Sequence, residues 1–161
     1  MTMQAILWLF LYTMIPTLEL RFSIPYGLYE YDETLGTAAV VGICLLANIV
    51  LAPFVWVFLD KVVHLFLRIG WIASLYEKIV GRAQRNLHPY VERWGTMGLA
   101  LFIGVPLPGS GVYSGALGAY VLGFRFRQFL IASIGGVLIA GAAVTAVAAT
   151  GATAFEVFLE H

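Results

Sequence analysis

Glu19 and Arg21 are the residues whose types and setting most strongly predict chemistry. They lie two positions apart in an apolar N-terminal region that Pro16 and Pro25 interrupt. A charged side chain at membrane depth is costly and normally functional. We therefore expect Arg21 to bind an anionic group and Glu19 to accept a proton or help bind a cation, with an unwound turn between the prolines bringing them together. The alternative is an interfacial pair whose charged ends reach water.

A second candidate segment is the sequence Pro-Leu-Pro-Gly-Ser-Gly at residues 106–111. Prolines restrict the turn, and glycines let other groups approach the backbone closely. Backbone amides and carbonyls exposed at such a turn can bind ions or polar headgroups. The alternative is a purely structural turn. Together, the two segments give the predicted substrate or ion site: Glu19, Arg21, Pro25, Pro106, Pro108, Gly109, Ser110 and Gly111.

The same residues argue against an enzyme. The Gly-Ser-Gly at 109–111 is similar to an intramembrane serine protease motif, but residue 108 is Pro where that motif has Gly. No histidine in an apolar stretch follows Ser110 to act as its base. The sequence has one cysteine, Cys44, and lacks a carboxylate or histidine cluster at membrane depth and a phosphate-binding loop. We therefore predict no catalytic residue, no metal site and no cofactor.

The composition places these segments in a membrane. Of 161 residues, 61% are hydrophobic and 11% are charged, whereas a soluble domain has roughly 25% charged residues. The formal net charge is zero, which argues against nucleic-acid binding. We expect one all-α, multi-pass domain over residues 1–158 in the cell (plasma) membrane. Residues 159–161 resemble the start of an appended affinity tag.

Four uncharged stretches define the helical elements: residues 1–18, 34–59, 94–124 and 128–155. A crossing helix needs about 20 residues, so 34–59 and 128–155 are each predicted to cross once. Close packing of the second crossing helix is predicted at Gly135, Gly136 and Gly141. The stretch 94–124 is broken at its centre into arms, 94–105 and 112–124, that are each too short to cross.

Charge indicates how the broken stretches enter the membrane. Eight of the nine Lys and Arg residues lie within 60–93 or at 125 and 127, which places both flanks of 94–124 in the cytoplasm. This stretch is therefore predicted to be a re-entrant hairpin. The N-terminal stretch has a similar broken form and acidic flanks, which predict an external hairpin. The halves 1–59 and 94–158 then form an inverted-topology repeat.

Residues 60–93 are predicted to form an amphipathic helical linker on the cytoplasmic membrane surface. Within the crossing helices, Asn48 and Thr145 are the polar residues of interest. We expect each to form an interhelical hydrogen bond, the more frequent role of such residues, while a ligand contact is the alternative.

The segments Glu-Leu-Arg-Phe-Ser-Ile-Pro-Tyr-Gly at 19–27 and Pro-Leu-Pro-Gly-Ser-Gly-Val-Tyr-Ser-Gly at 106–115 resemble the two signature segments of the small multidrug export protein family. Residues 123–129, followed by Gly135 and Gly136, are similar to the distant DedA (VTT) superfamily. That resemblance implies two re-entrant hairpins and movement of lipids, including polyprenyl phosphates, with proton coupling. The superfamily's second hairpin carries Pro-x-x-Arg, whereas Gly109 stands at the arginine position here.

Together these patterns predict a small membrane transporter that works by alternating access at opposed hairpins. The expected partners are membrane lipids, a proton or sodium ion, a lipid or small drug-like substrate, and further copies of the chain in a homo-oligomer. The alternative is a non-coupled lipid scramblase or a structural membrane protein.

Overall fold

The computed structural model describes residues 2–16, 18–66, 94–105 and 110–159. Within these ranges the chain forms helices and no strands, which confirms the predicted all-α class. The helices are α1 (Thr2–Met14), α2 (Glu19–Leu35), α3 (Thr37–Phe66), α4 (Trp94–Gly104), α5 (Val112–Val121) and α6 (Phe126–Leu159).

Two of these helices, α3 and α6, are long and apolar enough to cross a membrane. The qualifying spans are Thr37–Val63, with 27 residues, and Phe126–Thr150, with 25 residues. Only 39% of the most apolar window of each helix is buried inside the protein, so most of both helices faces outward. The outward side chains include large apolar groups such as Leu46, Phe54, Phe58, Ile131, Leu138 and Val147. The two predicted crossing helices are therefore confirmed by length and composition.

Helix α3 continues beyond the predicted end of its crossing. It remains helical through Asp60 to Phe66, so the first residues of the predicted linker extend the crossing helix. The rest of that linker, residues 67–93, lies outside the described residues.

Helices α1 and α2 form a short antiparallel pair. Gly27 of α2 lies against Leu9 of α1, and the rings of Tyr12 and Tyr26 are 5.5 Å apart. From Leu9 to Tyr12 the residue number rises along α1, while the partner in α2 falls from Gly27 to Tyr26, so the two helices run in opposite directions. Helix α1 has 13 residues, about 20 Å of helix, which is too short for a hydrocarbon core of about 30 Å.

The prediction that the chain is unwound from Pro16 to Pro25 is wrong in its length, because most of this interval is helical. Helix α2 begins at Glu19 and contains Pro25, so in this interval the described residues outside a helix are Pro16 and Leu18. A proline inside a helix removes one backbone hydrogen bond, but neighbouring helices can compensate for that loss. Here Gly27 seats α2 closely against Leu9 and Val40, which holds the helix together beyond its proline.

Helices α4 and α5 form a second antiparallel pair. Gly115 of α5 lies against Ile103 of α4, and Ser110, before α5, donates a hydrogen bond to the carbonyl oxygen of Val105, after α4, so one residue number rises as the other falls. The predicted arms, 94–105 and 112–124, closely match the two helices. The residues that join them, 106–109, lie outside the described residues.

The long helices run antiparallel to each other. Near one end of the pair, Leu45 of α3 lies against Gly141 of α6. Near the other, the rings of Trp56 and Phe129 stack at 5.0 Å. As one sequence number rises, the other falls, so the two chain directions are opposed. The buried core between the helices includes Leu9, Ile24, Val40, Ile103, Ala116, Phe129 and Val137.

Gly136 brings α6 into close contact with α4. A Cβ atom built there would lie 2.7 Å from both the carbonyl oxygen of Ala100 and the Cβ of Ile103. The prediction of close packing is confirmed at this glycine and at Gly141, where a Cβ would lie 2.5 Å from Leu45. At Gly135 the corresponding distance, 3.7 Å to Ala100, is an ordinary contact.

Gly136→Ala is expected to lower the melting temperature in detergent. The added methyl group meets a backbone oxygen that cannot move away alone, and overpacking of this kind costs about 1–3 kcal/mol. Gly42→Ala on α3 is the matched control, because its Cβ would meet nothing within 4 Å. It should leave stability unchanged or raise it, since alanine favours a helix. Equal effects of the two substitutions would contradict the close α4–α6 contact.

Candidate functional site

The candidate site is built where α2 begins beside the start of α5. Glu19 is the first residue of α2 and is only 7% exposed. Its φ angle is +40°, a left-handed conformation that is uncommon outside glycine and often marks a functional site. The Ser23 hydroxyl donates a hydrogen bond of 2.5 Å to the Glu19 carbonyl oxygen. This local arrangement holds the buried carboxyl group at the helix start.

The Glu19 side chain lies at the N-terminus of α5. The Tyr113 backbone N–H donates to Glu19 Oε1 at 3.5 Å. Gly111, which precedes the first turn of α5, lies directly against the carboxyl group. The first N–H groups of a helix have no partner within the helix, and its N-terminus attracts negative charge. Glu19, from a distant part of the sequence, therefore supplies a hydrogen-bond acceptor to the N-terminus of α5.

Arg21 joins α2 to Val105, which follows α4, and to Ser110, which precedes α5. Its Nη1 donates to the Ser110 carbonyl oxygen, and its Nη2 donates to Ser110 Oγ at 2.7 Å and to the Val105 carbonyl oxygen at 3.2 Å. The Ser110 hydroxyl in turn donates to the Val105 carbonyl oxygen at 2.6 Å. Arg21 Nη1 is 3.9 Å from Glu19 Oε2, and the arginine side chain is 22% exposed. The two charges therefore lie side by side, with Arg21 held by oxygen acceptors of Val105 and Ser110 and Glu19 held by the backbone N–H of Tyr113.

The structure brings four of the sequence-predicted site residues together: Glu19, Arg21, Ser110 and Gly111. Pro25 lies further along α2 and lines a separate open cavity of about 780 Å³. Glu30, Asp32 and Glu33 line the same cavity. The other predicted residues, Pro106, Pro108 and Gly109, lie outside the described residues.

Two residues at the site were not predicted there. Tyr113 contributes its backbone N–H to Glu19, and its hydroxyl donates to the Met14 carbonyl oxygen at 2.5 Å. No sequence signal identifies it, because the functional group is a main-chain amide. Asn48 of α3 lines a small cavity of about 10 Å³ with Glu19 and Arg21. Its polarity is visible in the sequence, but its predicted interhelical hydrogen bond is absent from the described part of the chain.

The arrangement offers two chemical functions at one place. The Glu19 carboxyl group can exchange a proton or contact a cation, while the Arg21 guanidinium can bind an anion if its bonds to Ser110 and Val105 open. Within residues 2–16, 18–66, 94–105 and 110–159, no group of three His, Cys, Asp or Glu side chains could hold a metal ion. The Ser110 hydroxyl is engaged with Arg21 and Val105.

Arg21→Lys is expected to lower both stability and activity. Lysine carries one compact ammonium group, which cannot span acceptors that the planar guanidinium bonds through two nitrogens. Hydrogen bonds to charged groups contribute about 1.5–3 kcal/mol each, so the loss should be visible as a lower melting temperature. Arg127→Lys is the matched control, because Arg127 is exposed. Equal melting temperatures for the two variants would contradict the bridging role of Arg21.

Comparison with known proteins gives one family. Residues 19–143, which include the four residues gathered at the site, match the family described as "Putative small multi-drug export protein". No curated protein and no solved structure matches the chain. The match covers most of the sequence, and it includes both signature segments identified from the residues. The chain therefore belongs to the small multi-drug export protein family.

Proposed function

We propose that this membrane protein is an ion-coupled transporter that uses Glu19 for coupling and Arg21 for substrate contact. The observation that carries the proposal is the contact of this charge pair, with Glu19 buried and Arg21 part-buried, with Ser110, Gly111 and Tyr113. The pair lies where the break between α1 and α2 meets the break between α4 and α5. Transporters commonly place their binding sites where discontinuous helices meet. The family's export function is consistent with transport and is not an enzyme activity.

We further propose that α1–α2 and α4–α5 are re-entrant hairpins, and that each hairpin with its following long helix is one half of an inverted repeat. Three relations support this arrangement. Each short pair is antiparallel about its break, each pair is followed by a helix long enough to cross, and α3 and α6 are antiparallel to each other. The domain divisions 1–59, 60–93 and 94–158 follow from the same proposal.

The proposed mechanism is alternating access at the two breaks. Arg21 is held by two carbonyl oxygens and one hydroxyl, and an anionic headgroup can replace these neutral acceptors with a stronger, charge-assisted bond. A change in the charge of Glu19 alters its attraction to Arg21 and to the N-terminus of α5. Ion binding at Glu19 and substrate binding at Arg21 would then favour different relative positions of the two hairpins.

We propose a multi-pass position in the cell membrane, with the acidic end of α2 outside and residues 60–93 in the cytoplasm. In a Cys44→Ala background, Asp32→Cys should react with a membrane-impermeant thiol reagent added outside intact cells. Arg85→Cys should react only after the cells are opened. The reverse labelling pattern would overturn the orientation. A chain this small encloses little of a pathway, so we also propose a homo-oligomer.

Transport by purified protein in liposomes tests the function. One arm follows a fluorescent polyprenyl-phosphate or phospholipid analogue, and the other follows a fluorescent organic cation. Each is measured with and without a proton or sodium gradient. Gradient-driven movement that is lost in Arg21→Ala would support coupled transport, and the substrate that moves identifies the class. Lipid movement that ignores both the gradient and Arg21→Ala would instead indicate a scramblase. No movement of either probe would contradict the proposal.

A further inference from the structure

Asn48 is a buried polar residue that makes no hydrogen bond to the charge pair of Glu19 and Arg21. Its side chain is 0% exposed, in the apolar part of helix α3 that precedes Asp60. Neither Oδ1 nor Nδ2 has a hydrogen-bond partner among the residues that the structure describes. A buried amide that lacks hydrogen bonds costs about 1–3 kcal/mol. Such a residue in a crossing helix therefore calls for a ligand or a partner.

The space beside Asn48 indicates what that ligand is. Asn48, Glu19 and Arg21 line one cavity of about 10 Å³, and a cavity of about this size holds a single water molecule. Arg21 Nε is also buried, and no acceptor for it occurs in the described ranges. The remaining wall is apolar: Leu20, Ile103, Val112, Val137 and Ala140. The polar residues that line the cavity are thus Glu19, Arg21 and Asn48, of which Arg21 Nε and the Asn48 amide have no partner in the described part of the chain.

We propose that Asn48 is a third polar member of the site, and that Asn48, Glu19 and Arg21 together bind one water molecule between α2 and α3. Water can donate to the Glu19 carboxylate and to Asn48 Oδ1 while it accepts from Arg21 Nε–H, which gives it the three bonds typical of buried water. A metal cation in the same cavity would be opposed by the positive charge of Arg21. The chemistry therefore favours a neutral ligand.

This proposal rests on the proposed function for its role, which is to carry protons to Glu19. As the water donates one of its protons to a carboxylate oxygen, it takes up another proton on its oxygen, which leaves a neutral carboxylic acid and a neutral water without a free hydronium ion in the cavity. The groups that face Glu19 in the described structure are Arg21 from α2, Tyr113 from α5 and Asn48 from α3. Water binding itself does not require transport and can be tested separately.

A double-mutant cycle between Asn48 and Glu19 tests the water site through stability at pH 8. Asn48→Leu keeps the approximate volume but removes the polar partner of the water. We expect it to lower the melting temperature by about 4 °C in the wild-type background and by less than half of that in a Glu19→Gln background. The effect shrinks because the water has lost its charged neighbour. A rise in melting temperature that is equal in both backgrounds would show a dry, unpartnered amide and overturn the proposal.

Two further variants keep the test decisive. Asn48→Ser keeps a hydroxyl group and leaves room for a second water, so it should recover at least half of the stability lost in Asn48→Leu. If Asn48→Leu does not fold, the same cycle is measured with Asn48→Ala, which also removes the polar partner of the water, and additivity with Glu19→Gln would then overturn the proposal. Ser133→Ala is the matched control, because Ser133 is equally buried but does not line the cavity. It should have the same effect in both backgrounds and leave transport unchanged.

Transport by the same variants tests the role of the water. Asn48→Leu should reduce proton-driven transport by about tenfold or more, the loss that corresponds to one hydrogen bond to a charged group. Full activity in Asn48→Leu would overturn the proton-carrying role. If the wild-type protein moves no substrate, the proposed function fails, while the stability cycle still decides whether the water site exists.

Discussion

Glu19→Gln is expected to abolish gradient-driven transport while the protein remains folded. Glutamine has nearly the same shape and keeps an acceptor oxygen for the Tyr113 N–H, so the contact with α5 can persist. It cannot take up or release a proton, and it has no charge to attract Arg21 or a cation. Arg21 retains its bonds to Ser110 and Val105, which limits the cost of losing its charged neighbour.

The measurement compares Glu19→Gln with wild type in liposomes, with the melting temperature recorded for both. We expect a loss of gradient-dependent transport of about tenfold or more, the size of one lost charge-assisted interaction. Glu33→Gln is the matched control, since it makes the same chemical change at an exposed position of the same helix. It should retain coupled transport. Gradient-dependent transport that survives in Glu19→Gln would remove Glu19 from the coupling role.

The helices that the sequence predicts well are those with a strong local signal. The crossings α3 and α6 follow from long apolar runs, because a membrane-crossing helix requires such a run whatever surrounds it. The break before Glu19 and the ends of α4 and α5 follow from proline and glycine, which disfavour helix in any context. Each of these features depends on about 20 or fewer consecutive residues, so it can be predicted from the sequence without knowledge of tertiary contacts.

The features that the sequence does not predict depend on tertiary contacts. Pro25 has the same local properties as Pro16, yet it lies inside α2 because neighbouring helices stabilise the helix around it. The N-terminus of α5 receives its acceptor from Glu19, far away in the chain, and no local pattern encodes that contact. The same holds for Asn48, whose polarity is evident but whose position beside the charge pair depends on how α3 lies against α2.

Gly111→Ala is expected to be the most damaging small substitution at the site. Gly111 has a φ of +141° and a ψ of −170°, a backbone conformation that is essentially restricted to glycine. An added Cβ would also overlap the Glu19 carboxyl group. Backbone strain and overpacking together should cost roughly 2–5 kcal/mol, visible as a lower melting temperature. Transport should be lost as well, because the carboxyl group has to leave the N-terminus of α5.

The two causes can be separated, because only one of them involves Glu19. In a Glu19→Ala background the overlap disappears while the backbone strain remains, so Gly111→Ala should cost less there than in the wild-type background. Gly118→Ala on α5 is the matched control, since its Cβ would meet nothing within 4 Å and its effect should be neutral or slightly stabilising. If Gly111→Ala costs the same in both backgrounds, the carboxyl group does not lie against Gly111. The two breaks would then meet through Arg21 and through the hydrogen bond from Tyr113 to Met14, and Glu19 would lose the contact by which a change in its charge could move α5.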